Sequence, residues 1–208
     1  MTAPDAAGPG TDGHGSASPG AAGGDEAGRG AAAHAAADGG AAPAAIRALA
    51  ITVSNRAAAG VYEDRSGPVL ARLLADAGCT VDGPLVVPDG PPVKTALRDA
   101  VAGGYDVVVT TGGTGLTPGD LTPEVTRRVL DREVPGIAEA IRAAGVAAGV
   151  PAAMLSRGLA GLSGRTLIVN LPGSTGGVRD GMAVLGPVLR HAVEQAHGGD
   201  HPRADAAP

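Results

Sequence analysis

Residues Val107–Pro123 read VVVTTGGTGLTPGDLTP, a β-branched run that leads directly into a glycine- and threonine-rich turn. The β-branched run predicts a buried parallel strand. Glycines in the turn let backbone N–H groups approach an anion, and a helix opened by Pro123 would add its positive N-terminal end. Ligands of open α/β sheets bind outside the carboxyl ends of the strands. The stretch therefore predicts an anion-binding turn, with a tight strand-to-helix connection as the structural alternative.

The turn matches neither of the two familiar phosphate-binding motifs. A Walker A loop requires a lysine before its final Ser or Thr, and the turn contains no lysine. A dinucleotide-binding fingerprint requires a third glycine, and Pro118 stands at that position. The residues suit a phosphate group but do not indicate which phosphorylated molecule carries it.

The composition divides the 208-residue chain into a central body and two low-complexity ends. Residues 1–45 are almost entirely Ala, Gly, Pro, Asp, His and Ser, and Met1 is their only large apolar residue. Such a segment cannot bury enough apolar surface to offset the entropy of ordering, so we expect residues 1–45 and the similar tail 197–208 to be disordered. Residues 46–196 form the predicted domain, which has an ordinary size.

The charge of the body argues against nucleic acid as a partner. Residues 1–45 contain five acidic residues and one arginine, and residues 197–208 contain two acidic residues and one arginine. Since the whole chain is formally −5, the body is neutral, and it also lacks Phe and Trp. A nucleic-acid-binding protein usually needs a basic face and stacking aromatic residues. No apolar run suits a membrane span or a signal peptide, so we expect a cytoplasmic protein without membrane contact.

Two familiar kinds of catalytic centre are not expected. The single cysteine, Cys79, excludes an internal disulfide and a cysteine-built metal cluster, and its position between a helix and a strand predicts burial as a small apolar residue. No Ser-His-Asp set and no His/Cys cluster has a usable spacing, so a serine hydrolase or a zinc site is not expected.

Apolar periodicity with glycine and proline boundaries predicts alternating strands and helices in the body. The predicted strands cover residues 47–54, 80–87, 105–110, 155–162 and 165–170. The predicted helices begin at Ser66 as N-cap, near Pro92, at Pro123, near Gly136 and at Val178, and the helix from Pro123 should end at about Asp131. Residues 55–60 are predicted to be a loop. On the last helix, which Pro187 should kink, the predicted inner face consists of Met182, Leu185, Val188, Leu189 and Val193. Short connections predict an α/β fold of three layers, αβα, with a mostly parallel sheet and helices on both faces.

Two aspartates follow predicted strands at the edge where the anion-binding turn lies. Asp89 follows the second strand and Asp120 the third. Because the carboxyl ends of parallel strands share one edge, we expect both carboxylates to face one crevice, where they would hold Mg²⁺ on substrate phosphates. Helix capping is the structural alternative, since Asp120 precedes Pro123.

Hydroxyl and guanidinium groups at the same edge are candidate phosphate contacts. Thr111 and Thr114 would donate to phosphate or satisfy the backbone of their own loop. Ser174 lies with Gly173 in a second glycine-rich turn, where local hydrogen bonding is the alternative. At the end of the first strand stand Ser54 and Arg56, and a surface salt bridge is the alternative role of the arginine.

The stretch Thr110-Thr111-Gly112-Gly113-Thr114-Gly115, followed by Asp120 and Thr122-Pro123-Glu124, resembles the signature of the molybdopterin adenylyltransferase family. This is the MogA/MoaB group, which includes the G domain of gephyrin-type proteins. Further stretches agree in kind and order, namely Thr52–Arg56, Asp64–Gly67, Pro88-Asp89, Asp131–Gly136, Leu155–Arg157 and Asn170–Ser174. The resemblance covers the body and neither end.

The resemblance implies a three-layer α/β fold, a homotrimer or homohexamer, and a reaction. In that reaction the terminal phosphate of molybdopterin attacks the α-phosphate of ATP with Mg²⁺. Adenylyl-molybdopterin and pyrophosphate result, and a separate molybdenum-insertion enzyme would use the first. By position, Gly112, Gly113, Thr114 and Gly115 would hold the pterin phosphate or the nucleotide, with Ser174 as a further contact. Asp89 and Asp120 match the two acidic catalytic positions.

The sequence also departs from the adenylyltransferase pattern. Asn55 stands where many members have aspartate, and Ser174-Thr175 replaces the dipeptide that others have after the second glycine turn. Both features resemble MoaB more than MogA. A MoaB-like pterin-binding or scaffold protein without adenylyltransferase activity is therefore the alternative. A molybdenum-inserting enzyme on the same fold is disfavoured, because such enzymes carry extra domains.

Overall fold

The computed structural model describes residues 45–199, and these residues form a six-stranded sheet in the order β2-β1-β3-β6-β5-β4. The strands are β1 (Ile46–Val53), β2 (Cys79–Val87), β3 (Val107–Thr111), β4 (Arg132–Glu133), β5 (Ala160–Ser163) and β6 (Thr166–Leu171). The helices are α1 (Asn55–Ala58), α2 (Ser66–Asp76), α3 (Pro91–Ala102), α4 (Thr122–Arg127), α5 (Pro135–Ala147) and α6 (Thr175–Ala196), and a 3₁₀ turn covers Pro151–Leu155. Strands β2, β1, β3 and β6 are parallel, whereas β5 pairs antiparallel with both of its neighbours, β6 and β4. The prediction of a mostly parallel sheet is confirmed.

The register of the central strands brings three turns to one edge of the sheet. Thr52 of β1 pairs with Thr111 of β3, and Thr111 pairs in turn with Leu171 of β6. Each of these residues is at or next to the end of its strand. The segments that follow β1, β3 and β6 therefore begin side by side, as parallel strands require.

Alternating strand residues supply a core on each face of the sheet. On one face Ala50, Val109 and Val169 contribute to a cluster with residues of α2, α5 and α6. On the other face Ile51, Val108 and Ile168 contribute to a cluster with residues of α3 and α4. All six of these strand residues are fully buried. The predicted three layers are confirmed, because successive side chains of a strand point to opposite faces.

Side-chain capping changes two predicted helix boundaries. Residues 55–60, predicted to be a loop, contain α1, because the Ser54 hydroxyl accepts the Ala57 N–H at 3.1 Å. Ser66 does not cap α2 but begins it. The carboxylate of Asp64 accepts the N–H groups of Ser66 and Gly67 at 3.1 and 2.9 Å, and so takes the capping role.

Three other predictions need correction. Residues 155–162 were predicted as one strand, but the 3₁₀ turn ends at Leu155 and β5 begins only at Ala160. Between them, Arg157 does not pair with a neighbouring strand, because its backbone N–H donates to the Thr114 carbonyl. The helix that begins at Thr122 ends at Arg127 and not near residue 131. Val188 is 46% exposed, because a residue next to Leu189 is turned by about 100° from the buried stripe of α6.

Most of the remaining fold predictions agree with the structure where it can be compared. Cys79 is a free, buried cysteine, and burial raises the pKa of its thiol. Met182, Leu185, Leu189 and Val193 are buried on α6, which continues through Pro187. Within residues 45–199, no helix has the length and apolar character that a membrane crossing requires. The predicted disorder of residues 1–45 and 197–208 lies outside the described residues except at residues 45 and 197–199. There the prediction is wrong for the start of the tail, since His197 Nε2 lies 3.0 Å from Asp106 Oδ1 and the Gly199 N–H donates to the Glu194 carbonyl at 2.8 Å.

A buried amide connects the sheet to the segments around its carboxyl edge. Asn170 of β6 is 3% exposed, and its Oδ1 accepts the Leu159 N–H at 3.3 Å. Its Nδ2 donates to the hydroxyls of Thr110 and Thr126 at 3.0 and 3.1 Å. One side chain therefore joins β3, α4 and the segment before β5.

Replacement Asn170→Ala should lower the free energy of unfolding by about 2–3 kcal/mol, because it leaves buried polar groups without partners. Urea unfolding followed by circular dichroism measures the loss. The control is Thr95→Ala, since the Thr95 hydroxyl makes one exposed bond of 3.4 Å to the Pro91 carbonyl. Equal losses in the two variants would contradict a structural role for the Asn170 network.

Candidate functional site

Two turns pack against each other at the carboxyl edge of the sheet. We call Gly112–Leu121, after β3, the glycine loop, and Pro172–Ser174, after β6, the serine turn. The Gly112 N–H donates to the Leu171 carbonyl at 3.1 Å, and the Thr111 hydroxyl donates to the Pro172 carbonyl at 2.8 Å. A Cβ on Gly173 would lie 3.2 Å from the Gly112 Cα. The two predicted glycine turns thus form one contiguous surface.

The first two glycines of the loop occupy a passage without room for a side chain. Gly112 and Gly113 have φ values of 109° and 64°, a region that favours glycine. A Cβ on Gly112 would lie 2.2 Å from the Val53 carbonyl oxygen. A Cβ on Gly113 would lie 2.1 Å from Asp89 Oδ2 and 2.2 Å from the Thr122 hydroxyl. The backbone of the loop therefore passes directly between the end of β1 and Asp89.

Asp89 stabilises the start of α4 from the end of β2. Its Oδ1 accepts the Gly90 N–H at 2.7 Å and the Thr122 hydroxyl at 3.1 Å. Its Oδ2 accepts the Leu121 N–H at 3.1 Å. The Asp89 N–H in turn donates to the side-chain oxygen of Asn55 at 2.9 Å. The capping role that the sequence suggested for Asp120 is thus performed by Asp89, over a long sequence separation.

Asp120 folds the glycine loop back on itself. Its Oδ2 accepts both the N–H and the hydroxyl of Thr117, at 2.9 and 2.6 Å. A Cβ on Gly115 would lie 2.9 Å from the same oxygen. Because both hydrogen bonds end on Oδ2, Oδ1 is available to a ligand. The two predicted aspartates thus contact the same loop, Asp89 at Gly113 and Asp120 at Gly115.

Arg157 holds the glycine loop from the opposite side. Its Nε donates to the Gly115 carbonyl at 2.7 Å, and its Nη2 donates to the Asp120 carbonyl at 2.5 Å. Its backbone N–H donates to the Thr114 carbonyl at 2.9 Å, and its Nη1 pairs with the Glu124 carboxylate. Our sequence reasoning assigned no role to this arginine, whose only signal was its place in the stretch Leu155–Arg157.

Two cavities meet at the glycine loop and the serine turn. The first, of about 660 Å³, is the apolar cavity, with Leu116, Ile141, Val150 and Leu155 among its lining residues. The second, of about 400 Å³, is the polar cavity, whose lining includes Thr52, Ser54, Asp64, Ser66, Thr111 and Thr175. Gly113, Gly173 and Ser174 line both. These three residues form the shared rim.

Two helices begin at the polar cavity. Ser66, the first residue of α2, and Thr175, the first residue of α6, both line it. The N-terminal end of a helix carries partial positive charge and attracts anions. The Ser174 hydroxyl accepts the Gly177 N–H at 3.0 Å, which is the local bond foreseen as the alternative to phosphate contact. The wall of this cavity is therefore suited to negative charge.

The other predicted phosphate contacts are divided between cavity walls and the surface. Thr114 is buried, lines the apolar cavity and receives a hydrogen bond of 3.4 Å from the Ser156 hydroxyl. Ser54 lines the polar cavity while it caps α1. Arg56 lines neither cavity, and its guanidinium lies 4.7 Å from the centre of the Tyr62 ring. The structure thus brings all the predicted site residues except Arg56 to the two cavities or to the loop between them.

The fold and these cavities define an αβα domain with a candidate ligand site at the carboxyl edge of a mostly parallel sheet. The chain belongs to the family described as "probable molybdopterin binding domain", whose model matches residues 49–191. The resemblance inferred from the sequence is confirmed.

Individual relatives agree with the family assignment. A protein of Pyrococcus furiosus named molybdopterin adenylyltransferase is 36% identical over 159 residues, which are 74% of this chain and 94% of that protein. A molybdenum cofactor biosynthesis bifunctional protein of Synechococcus elongatus is 40% identical over 161 residues, 77% of this chain. The chain spans 50% of the length of that bifunctional relative.

A solved structure shows the same fold. The Mog protein of molybdopterin biosynthesis from Mycobacterium ulcerans is 52% identical, with a TM-score of 0.70. The match covers 73% of this chain and 99% of the other. The prediction that this chain has the α/β fold of the family is therefore confirmed.

Replacement Gly113→Ala should be much more destabilising than Gly104→Ala. Both glycines have similar positive φ values, 64° and 70°, but the Cβ at Gly104 meets nothing within 4 Å. Backbone strain alone should cost Gly104→Ala about 1–2 kcal/mol. Gly113→Ala should lose about 1–2 kcal/mol more, because the new Cβ displaces Asp89 from the start of α4. Urea unfolding of both variants tests this, and equal losses would show that the passage beside Asp89 is not tight.

Replacement Arg157→Lys should loosen the glycine loop. Lysine keeps the charge but cannot donate to Gly115, Asp120 and Glu124 with the fixed geometry of a guanidinium group. We expect amide hydrogen exchange in residues 114–120 to accelerate by about tenfold or more, since charge-assisted hydrogen bonds are lost. Arg127→Lys is the control, because Arg127 forms an exposed pair with Glu133. Unchanged exchange in the Arg157 variant would exclude this arginine as the support of the loop.

Proposed function

We propose that this chain transfers the adenylyl group of Mg-ATP to molybdopterin in molybdenum cofactor biosynthesis. The products are adenylyl-molybdopterin and pyrophosphate. The observation that carries the proposal is the shared rim, where an apolar cavity and a polar cavity meet at Gly113, Gly173 and Ser174. Two substrates that react through their phosphates need such a junction. The family assignment and the name of the Pyrococcus furiosus relative support this reaction.

The apolar cavity suits the pterin. Its volume of about 660 Å³ lies in the range of small-molecule sites, which are mostly apolar with a few polar groups. Side chains of the glycine loop, α5 and the 3₁₀ turn form its apolar wall, among them Leu116, Ile141 and Leu155. A flat heterocycle would bury its faces there and place its phosphate at the shared rim.

The polar cavity suits the phosphates of the nucleotide. The N-terminal ends of α2 and α6 lie in its wall, and Gly112 and Gly113 bring backbone close to the same space. Backbone dipoles stabilise the negative charge of phosphates without a reacting side chain. The α-phosphate of ATP would then lie near the pterin phosphate at the shared rim.

The reaction asks for alignment and charge neutralisation more than for covalent catalysis. An oxygen of the pterin phosphate forms a bond to the α-phosphorus of ATP. The bond from that phosphorus to the bridging oxygen breaks, and its electron pair leaves with pyrophosphate. In this scheme the glycine loop and the serine turn hold the two phosphates in line.

The residues present fit a bound Mg²⁺, which commonly keeps several waters and takes one or two carboxylates besides substrate phosphates. Asp120 lines the cavity and has Oδ1 available, so we assign it as the direct ligand. Both carboxylate oxygens of Asp89 already accept hydrogen bonds, from Gly90, Leu121 and Thr122, so we assign Asp89 a positioning role. The Leu121 N–H that it binds is next in the chain to Asp120. When bound, Mg²⁺ would offset the charge of the phosphates.

The same observation on Asp89 supports a second candidate, a pterin-binding protein that does not adenylylate. If Asp89 is committed to holding α4, only one aspartate of the predicted pair is left for the metal. A MoaB-like binding or scaffold role would need the apolar cavity but not the transfer step. The assay of adenylyl transfer separates the two candidates.

We extend the proposal to a homotrimer or homohexamer, whose product is taken up by a separate molybdenum-insertion enzyme. Exposed apolar residues on α5 and in the segment after it support self-association. They are Val146 and Met154, which are 38 and 60% exposed and line neither the apolar nor the polar cavity. The names of the relatives support a role of this chain in molybdenum cofactor biosynthesis.

Replacement Asp120→Asn should reduce adenylyl transfer by about 100-fold or more, because it removes the charge that holds the metal on the phosphates. The measurement is formation of adenylyl-molybdopterin and pyrophosphate by purified protein with molybdopterin, ATP and Mg²⁺. Asp99→Asn on α3 is the control, since Asp99 is exposed and lines neither cavity. Tight pterin binding by the native protein with no adenylylated product would reject the transfer reaction and leave the binding role.

A further inference from the structure

Asp180 is a charged residue that the proposed reaction has not used. It lies on α6, is partly buried and lines the apolar cavity. Within residues 45–199 its side chain forms no hydrogen bond and no ion pair. A carboxylate in a mainly apolar wall needs a partner to offset its desolvation, so a ligand is the natural source of one.

The other two charged residues of the same cavity are already engaged. Asp120 accepts two hydrogen bonds from Thr117. Arg142 donates to the Gly158 and Ser156 carbonyls at 3.1 and 3.4 Å. Among the described lining residues, Asp180 is therefore the charged group whose hydrogen-bonding capacity is left entirely to an occupant.

Asp180 lies on the same helix that begins next to the shared rim. Helix α6 begins at Thr175, directly after the serine turn, and Asp180 lies five residues further on. That separation is about 7.5 Å along the helix axis. A ligand whose phosphate lies at the rim would therefore present its far end to Asp180.

A carboxylate favours a ligand that carries hydrogen-bond donors at the end away from its phosphate. A carboxylate accepts two parallel hydrogen bonds from adjacent donors, and such charge-assisted pairs are strong. The pyrimidine ring of a pterin offers two adjacent donors, the 2-amino group and the N3–H. Adenine offers a 6-amino donor beside the N1 acceptor, whose lone pair would face a carboxylate oxygen unfavourably.

We propose that Asp180 determines the specificity of the apolar cavity by accepting hydrogen bonds from the 2-amino group and N3–H of the pterin. This inference rests on the proposed function, because it assumes that a pterin occupies the apolar cavity. It also explains why the pterin and the adenine of ATP would not exchange places. Asp180 acts on recognition and takes no part in the transfer of the adenylyl group.

The test uses two probes that differ at one edge of the ring. The first is 6-hydroxymethylpterin phosphate, and the second is its 2,4-dioxo counterpart, which carries a carbonyl acceptor in place of the 2-amino donor. We expect the native protein to bind the first about 10- to 100-fold more tightly, since loss of the 2-amino donor leaves the partly buried carboxylate facing a carbonyl acceptor. Fluorescence titration or calorimetry gives both dissociation constants.

Replacement Asp180→Asn should weaken binding of the pterin probe by about 10- to 100-fold and leave the dioxo probe unchanged or bound more tightly. The matched control is Glu194→Gln, an exposed acidic residue near the other end of the same helix. Because Asp180 has no partner among residues 45–199, the thermal midpoint of the variant should equal that of the native protein.

The outcomes separate this inference from the proposed function. A variant that keeps the native preference for the pterin probe overturns the role of Asp180 and leaves the proposed function standing. A native protein that binds neither probe overturns both. Discrimination that depends on Asp180, in a protein that forms no adenylyl-molybdopterin, supports the inference and rejects the transfer reaction.

Discussion

The site depends on one steric constraint, the passage of the glycine loop between the Val53 carbonyl and the Asp89 carboxylate. No side chain fits there, since a Cβ on Gly112 or Gly113 would lie 2.2 or 2.1 Å from these groups. Because the loop passes so closely, Asp89 reaches the start of α4. The loop also packs against the serine turn. The shared rim of the two cavities exists because these contacts hold both turns at the same edge of the sheet. Arg157 completes the arrangement by binding three carbonyl or carboxylate groups of the loop and α4 from outside.

Local sequence patterns predicted the framework of this arrangement well. The β-branched run before Gly112 and the apolar run within residues 165–170 indicated two buried strands of a mostly parallel sheet, and the structure shows that these strands are parallel neighbours. The expectation that Asp89 and Asp120 face one crevice is not met, because Asp120 lines the apolar cavity whereas Asp89 lines neither cavity and binds the start of α4. The strand predictions are confirmed because they needed only the local apolar pattern and short connections between elements.

The features that sequence reasoning missed depend on contacts between distant residues. Arg157 binds Gly115 across 42 positions, and nothing near Arg157 in the chain indicates that partner. Asp64 caps α2 in place of Ser66 because the chain before the helix returns to β1, where the Thr52 hydroxyl donates to Asp64 at 2.8 Å. Asp180 carries no local motif and is noticeable only because α6 turns it toward the apolar cavity. Helix periodicity placed Leu189 correctly but could not also bury its neighbour Val188.

The electrostatics of the two cavities support the proposal that this site uses a divalent cation. The arginines in their walls are already bound to protein oxygens, Arg142 to the carbonyls of Ser156 and Gly158, and Arg65 to Glu63 at 3.5 Å. The described lining contains no lysine. The lining therefore offers the phosphates of the proposed substrates mainly backbone N–H groups, hydroxyls such as those of Ser54 and Thr111, and the N-terminal ends of α2 and α6. Such partial charges would offset the charge of two phosphorylated substrates only in part, and a cation held by Asp120 would supply the remaining positive charge. In the proposed reaction the carboxylate of Asp120, which alone would repel the substrates, would serve to hold that cation.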